Sequence, residues 1–256
     1  MQPIYTPGDS PLHRLHPLTK MAGAALLVVA AYLLPGLLSP IALFLVVLLL
    51  AYTSGIMGSF LRPVLLGILP VTLSLFIIQG ILFPPAGATP LPIGPITLTR
   101  EGLAFAFLIS TRLLTFTSAI LLLLRTTHPA DLVFALTERG LPRGIGYILL
   151  VTLQIAPDMI GRATAILEAQ RSRGLETQGG LRRVRAIVPL VGPLVVGALV
   201  DVEERAMALE SRAYTAPGPK TSLRELVDTT GQRIARWLML LGIAALIVGR
   251  IFLAFQ

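Results

Sequence analysis

The sequence has no cysteine and very little charge. Without thiols there can be no disulfide framework, no thiolate metal site and no cysteine nucleophile. Charged residues occupy 13% of the 256 positions and hydrophobic residues 54%, whereas about a quarter of the residues in soluble domains are charged. A chain this poor in charge is expected to have lipid rather than water as its main surroundings.

Lysine is also scarce, since Lys20 and Lys220 are the only two among 21 basic residues. Neither follows the glycine spacing of a phosphate-binding loop, so the chain is not expected to bind ATP by that route. The net charge of +8 would suit nucleic acid if the basic residues formed a stripe without long apolar runs. The apolar runs are present, and they predict membrane lipids rather than nucleic acid as the partner.

Long uncharged runs predict an all-α integral membrane protein with about five spans. The predicted spans are 21–61, which prolines and a glycine divide into two crossings, then 64–83, 103–124 and 237–256. Fifteen of the 21 basic residues lie between Arg125 and Arg236. The predicted organisation is therefore an N-terminal membrane part (1–124), a cytoplasmic or interfacial helical coupling region (125–236) and a last transmembrane helix (237–256).

The basic residues also predict the orientation of the spans. Arg14 and Lys20 precede the first span and Arg125 follows the fourth, whereas the stretch 84–99 has no charge. Short loops that carry lysine and arginine stay in the cytoplasm. The N-terminus and the coupling region are therefore expected inside the cell, and the stretch 84–99 outside.

Two apolar stretches interrupt the coupling region, at 144–160 and 186–200. If the first crossed the membrane alone, six arginines between positions 162 and 185 would lie outside, against the orientation rule. Both are therefore expected to be short helices lying under or partly within the membrane. Their internal prolines, including Pro157 and Pro193, are expected to bend or start helices. Two helix-spaced pairs, Asp158 with Arg162 and Asp201 with Arg205, support the helices.

A short segment of the coupling region occurs twice, at 169–174 and again 39 positions later at 208–213. The identical pairs are Ala169 and Ala208, Ser172 and Ser211, and Arg173 and Arg212. An arginine near a helix end interacts favourably with the helix dipole, but capping alone does not require two copies. Because the planar guanidinium can hold a carboxylate with two parallel hydrogen bonds, the repeat suits a partner with two acidic grooves.

These features resemble the T component of energy-coupling factor transporters, the group that includes the Q subunits of cobalt and nickel transporters. The resemblance covers nearly the whole chain and rests on LHRLHPLTK at 12–20, RTTHPADL at 125–132 and the two arginine-bearing helix ends. It implies a scaffold whose two coupling helices enter grooves of two ABC-type ATPases while its membrane part holds a substrate-binding S component. ATP and Mg²⁺ would be bound by the ATPases, and this chain would bind no cofactor.

The resemblance also assigns the residues that would contact the ATPases. They are Ser172, Arg173 and Gly174 at the first helix end, and Ser211, Arg212 and Ala213 at the second. The family pattern is Ala-Arg-Gly, so the sequence departs from it by a serine before each arginine. It also departs by an alanine where glycine would end the second helix.

Three other features of the sequence could form sites. Arg112 lies in the middle of the fourth span, where a charge is costly unless it faces protein, water or a partner, so an interior or partner contact is expected. Residues 125–141 predict an amphipathic helix with Pro129 near its start. His13 and His16 are two imidazoles without a third ligand nearby, and no metal site is expected.

The function implied is energy coupling, without catalysis, in an importer of a vitamin or a transition-metal ion in a prokaryotic cell membrane. The alternative is a self-sufficient secondary transporter or channel, which needs ionisable or helix-breaking residues at the membrane midplane, and only Arg112 fits that description. An intramembrane enzyme needs paired carboxylates, a histidine-linked nucleophile or a metal cluster, yet the first four spans contain no acidic residue and no histidine. The solute is left open, because recognition would rest with the S component.

Overall fold

The computed structural model describes residues 5–6, 8–82, 90–93, 96–174, 188–214, 216–218 and 226–254, and most of them are helical. The predicted all-α membrane fold is confirmed. The helices are α1 (Pro17–Leu33), α2 (Leu38–Thr53), α3 (Met57–Ile77), α4 (Arg100–Thr126), α5 (Pro129–Glu138), α6 (Arg143–Ser172), α7 (Val188–Ser211) and α8 (Thr230–Ala254). By length and composition α3, α4, α6 and α8 could each cross a membrane, and α1 and α2 are shorter apolar helices.

Proline sets both ends of α1. Pro17 opens the helix, where no backbone N–H is needed, and the His16 side chain accepts a hydrogen bond from the Leu18 N–H at 3.2 Å. The helix stops because the residue before a proline disfavours helical geometry, and Leu34, before Pro35, is extended. The predicted division of the first apolar run into two helices is confirmed.

The end of α3 packs closely against the start of α4. The helix tolerates two internal prolines and continues as one π-helical turn, Ile78–Leu82. A side chain added at Gly102 of α4 would clash with the backbone carbonyl of Gln79 in that turn. Glycine at this position therefore allows two backbones to approach each other.

The segment before α4 contains a hairpin that the sequence analysis did not predict. Strand β1 (Pro90–Ile93) pairs with β2 (Ile96–Thr99) in antiparallel register, with Pro90 opposite Thr99. A strand is unexpected here because proline cannot donate a ladder hydrogen bond and β1 contains two prolines. The hairpin is a local exception to the helical fold.

A buried cluster joins α2, α3 and α4. Its members are Val47, Ala51, Ile56, Phe60, Val64, Ile68, Ala119 and Leu122. Beside it, the fully buried Thr115 hydroxyl donates to the carbonyl of Pro40 at 2.9 Å, which satisfies a polar group among apolar neighbours. Many large apolar side chains elsewhere are exposed, including Leu49 and Leu66 at 61%. An apolar outer surface of this kind suits contact with lipid.

The chain forms two compact units, one of residues 1–139 and 226–256 and the other of residues 140–225. The second unit is shorter than the predicted coupling region 125–236, because α5 and α8 both pack against α1 in the first unit. Within the second unit α6 packs against α7.

The two apolar stretches of the coupling region belong to helices longer than predicted. The first lies in α6, which continues through Pro157 to Ser172, and the second in α7, which continues through Pro193 to Ser211. Each apolar stretch is therefore continuous with the helix that carries a repeated arginine, and the two stretches are not separate short helices. A proline inside a helix removes one hydrogen bond, which neighbouring groups can compensate, so it does not have to end the helix.

Candidate coupling site

Helices α6 and α7 both end close to a residue with positive φ. Arg173 follows the last residue of α6 and precedes Gly174, whose φ is +88°. Arg212 follows the last residue of α7 and precedes Ala213, whose φ is +53°. A left-handed residue just after a helix is a common termination, normally made by glycine. The alanine in the second copy thus has a positive φ, as the glycine has in the first.

Backbone hydrogen bonds hold the end of α7 in this geometry. The N–H of Ala213 donates to the carbonyl of Glu210 and the N–H of Tyr214 donates to that of Leu209, both at 2.9 Å. This pair of bonds defines a Schellman motif. The Tyr214 ring also lies 5.4 Å from the ring of Tyr147 in α6. These contacts offset the cost of a left-handed alanine, which is about 1–2 kcal/mol.

A salt bridge joins α6 and α7 at equivalent positions of the repeat. Arg162 Nη1 lies 2.9 Å from Asp201 Oδ2, and Arg162 Nη2 lies 3.1 Å from Asp201 Oδ1. The two residues are 39 positions apart, which is the repeat offset. Each repeated arginine lies 11 residues further along its helix, or about 16 Å at about 1.5 Å per residue. The helix segments from the salt bridge to Arg173 and to Arg212 are therefore equal in length.

All six predicted contact residues are exposed at these two helix ends. In the part of the chain that the structure describes, neither Arg173 nor Arg212 forms an ion pair. The hydroxyls of Ser172 and Ser211 donate to backbone carbonyls of their own helices, each at 3.0 Å. The two guanidinium groups are thus the side chains free to bind an acidic partner.

Arg112 lies half-buried in α4 and faces α1. Its guanidinium carbon is 5.8 Å from the centre of the Tyr32 ring, a distance at which the cation and the π face attract each other. Its Nε is buried and has no hydrogen-bond partner among the described residues. The contact with α1 accounts for part of the expected interior role, and contact with a partner stays a prediction.

The three histidines make local hydrogen bonds. His16 and His128 cap α1 and α5, and each is followed by the proline that opens its helix. His13 Nδ1 is 2.7 Å from the Ser10 hydroxyl, and its Nε2 is 3.1 Å from the Thr6 carbonyl oxygen. Among the described residues, no three His, Asp or Glu side chains lie close enough together to hold a metal.

A charged cluster at the start of α8 was missed by the sequence analysis. Its centre is Asp228, whose Oδ2 accepts hydrogen bonds from Arg236 at 2.8 Å, Arg233 at 3.2 Å and Arg139 at 3.3 Å. Oδ1 of the same carboxylate is buried and has no partner in the described part of the chain. Asp228 precedes Arg233 by five residues and Arg236 by eight, and this spacing could have indicated their ion pairs from the sequence. Nothing in the sequence linked it to Arg139, 89 positions earlier.

The cluster shifts the pKa values of two groups that lie outside the apolar runs. Burial raises the pKa of Asp228, but the hydrogen bond and charge of Arg236, with smaller effects of His16 and Arg233, hold that pKa below its ordinary value. Burial, helped by Arg236, lowers the pKa of His16 against the opposing charge of Asp228. A neutral His16 agrees with its Nδ1 accepting the Leu18 N–H.

Comparison with known proteins places these features in a family. The family model described as "Cobalt transport protein" (CbiQ) matches residues 8–223, which include Arg112 and both arginine-bearing helix ends. Three similar proteins are each named energy-coupling factor transporter transmembrane protein EcfT. The Heliobacterium modesticaldum protein is 32% identical over 87% of each chain, the Thermanaerovibrio acidaminovorans protein 31% over 95% of this chain and 93% of its own, and the Bacillus subtilis protein 31% over 95% of each.

Proposed function

Because the chain belongs to the CbiQ family of cobalt transport proteins, with energy-coupling factor transmembrane proteins among its relatives, we propose that it is the energy-coupling scaffold of such an importer. Two ABC-type ATPases bind and hydrolyse ATP with Mg²⁺, and a substrate-binding S component recognises the solute. This chain binds no cofactor and catalyses no reaction. Its role is to connect the other subunits, and the solute is a vitamin or a transition-metal ion.

One observation carries the proposal: Arg173 and Arg212 are exposed, form no ion pair with any described residue, and lie at equivalent ends of two helices that a salt bridge joins at equivalent positions. A pair of similar ATPases presents two similar acidic grooves, and such a partner requires two similar cationic groups. Arg173 and Arg212, each about 16 Å from the salt bridge, meet that requirement. Each guanidinium can bind a groove carboxylate through two parallel hydrogen bonds.

The salt bridge between α6 and α7 supports transmission of motion. When the ATPases change their separation during ATP binding and hydrolysis, each helix end follows the ATPase to which it is bound. Arg162 and Asp201 join the two helices, so a displacement of one is passed to the other. The coupling helices therefore respond as a pair.

The membrane part offers apolar surface for the S component. A recess of about 610 Å³ on α3 and α4 is lined by apolar side chains such as Leu69 and Phe107. The Ser110 hydroxyl lies in this lining, buried and without a hydrogen-bond partner among the described residues. A transmembrane helix with a small polar residue would fill the recess and satisfy that hydroxyl.

The proposed function requires the coupling helices to face the compartment that holds ATP. The concentration of arginine in the region 125–236 supports a cytoplasmic position. The N-terminus is placed on the same side, in a prokaryotic cell membrane. Reaction of single introduced cysteines with an impermeant thiol reagent, in a chain that has none of its own, tests this orientation.

The test of the coupling residues is the double variant Arg173→Glu with Arg212→Glu, co-expressed with the ATPases and purified in detergent through a tag on this chain. Truncating one partner of a charge pair that is buried and hydrogen-bonded in an interface typically costs about 2–5 kcal/mol, so two reversals inside the grooves should abolish co-purification. The matched comparison is Arg173→Lys with Arg212→Lys, which keeps both positive charges while losing the planar fork and should retain more of the ATPases than the glutamate variant. Undiminished recovery of the ATPases with the glutamate variant would refute the assignment.

The alternative of a self-sufficient transporter has a separate test. The purified chain alone is placed in vesicles without ATP and without other subunits. Uptake of labelled Co²⁺ or of a labelled B vitamin under these conditions would favour the alternative. A scaffold is expected to give none.

A further inference from the structure

The chain passes between its two compact units at two places, after Arg139 and before Leu226. Arg139 is the last residue of the first unit before the chain leaves it, and Asp228 lies just after the chain returns. The two residues form an ion pair, with Arg139 Nη2 3.3 Å from Asp228 Oδ2. Gly140, the first residue of the second unit, has a φ of +111°, which residues with side chains rarely adopt. Both connections therefore start beside one ion pair, and one of them starts with a glycine turn.

The same carboxylate is anchored to the membrane helices. Arg236 of α8 donates to Asp228 at 2.8 Å and is 7% exposed. The backbone N–H of His16, which caps α1, donates to the Gln232 side chain of α8 at 2.8 Å. The segment before α8 is thus held against the starts of α1 and α8, and Arg139 is held to that segment.

The arginines around Asp228 differ in what they connect. Arg233 and Arg236 lie on α8, close to Asp228 in sequence, and their ion pairs hold α8 to the segment that precedes it. Arg139 directly follows α5, and its ion pair is the only one of the three that connects the outgoing and returning segments. Arg139 and Arg233 have similar side-chain exposure, 52% and 62%, so one serves as a control for the other.

We propose that Asp228 is a positioning residue for energy coupling, and that it acts through Arg139. Their ion pair fixes the place at which both connections to the coupling helices attach to the membrane helices. Movement of the second unit then acts on α1 and α8 together. Without the ion pair, the outgoing connection turns freely at Gly140 and part of the movement is lost. This inference rests on the proposed function.

A purely structural role predicts a different outcome. Exposed ion pairs contribute about 0–1 kcal/mol, and Arg139 and Arg233 are both more than half exposed. Removing either one should leave folding and assembly intact. If the ion pairs only stabilise the fold, the two variants will behave alike. If Arg139 positions the connections, its variant alone will uncouple.

The experiment uses the full complex of this chain with its ATPases and S component in lipid nanodiscs. A single fluorophore is attached at Leu66→Cys, an exposed position of α3 that does not line the recess, because the chain has no other cysteine. Mg-ATP is added, and the fluorescence change is divided by the rate of ATP hydrolysis. Arg139→Gln is expected to lower this ratio at least threefold with an unchanged melting temperature. Arg233→Gln should leave the ratio unchanged, and Arg139→Lys should restore part of it.

One result overturns the inference: an equal ratio for Arg139→Gln and Arg233→Gln in a complex that still contains the ATPases. If the unaltered chain does not co-purify with ATPases, the proposed function fails instead, so the two failures are distinguishable.

Discussion

The salt bridge between α6 and α7 allows a quantitative test of the site. The sequence pattern pairs Arg162 with Asp158, four residues earlier on the same helix, whereas the structure pairs Arg162 with Asp201 on the other helix. Asp158 is exposed and forms no ion pair within the described residues. The two pairings predict different energetic couplings and can be separated by double-mutant cycles.

The expected magnitude follows from geometry and exposure. Exposed ion pairs contribute about 0–1 kcal/mol, and a bidentate geometry places a pair at the upper end of that range. The contacts of 2.9 Å and 3.1 Å are bidentate, and the side chains are 45% and 20% exposed. We therefore expect a coupling free energy of about 1 kcal/mol between Arg162 and Asp201, and about zero between Arg162 and Asp158.

The assay is thermal unfolding of the detergent-purified chain, with alanine at each position alone and in both pairs. For a chain of this size about 1 kcal/mol corresponds to roughly 2–4 °C in melting temperature. The exchanged pair Arg162→Asp with Asp201→Arg should recover most of what either single exchange loses. A larger coupling to Asp158 than to Asp201, or an exchanged pair no better than the single variants, would refute the proposed joining of α6 and α7.

Two further predictions concern packing and pH. Gly102→Ala should lower the melting temperature because its Cβ would clash with the Gln79 carbonyl, at a cost of about 1–3 kcal/mol. Gly67→Ala, with no neighbour within 4 Å, should not lower it. The lowered folded-state pKa of His16 should reduce stability as pH falls below about 6.5, and that of Asp228 as pH falls below about 4. Unfolding curves measured from pH 8 to 3 check both effects. His16→Asn should remove the loss of stability near pH 6 and keep the loss below pH 4. If the variant still loses stability near pH 6 as the unaltered chain does, His16 is not the cause.

The repeat made the two arginines of the coupling site predictable from the sequence. Two arginines 39 positions apart on matching helical stripes could be found by aligning the chain with itself, since helix periodicity fixes which residues share a face. Both arginines are exposed and form no ion pair with the residues that the structure describes, and their contact with ATPases stays a prediction. The left-handed Ala213 was not predictable, because alanine has no preference for it. Its conformation depends on backbone bonds to the last turn of α7 and accompanies a contact between Tyr214 and Tyr147.

The sequence by itself determined the membrane class, the apolar helices and the repeated arginines, because uncharged runs, proline positions and helical spacing act over a few neighbouring residues. The tertiary structure decided which charges meet. Arg162 contacts Asp201 rather than Asp158, and Asp228 contacts Arg139 from 89 positions away. Ion pairs between distant residues depend on how helices pack, and sequence spacing does not encode that packing for a single chain.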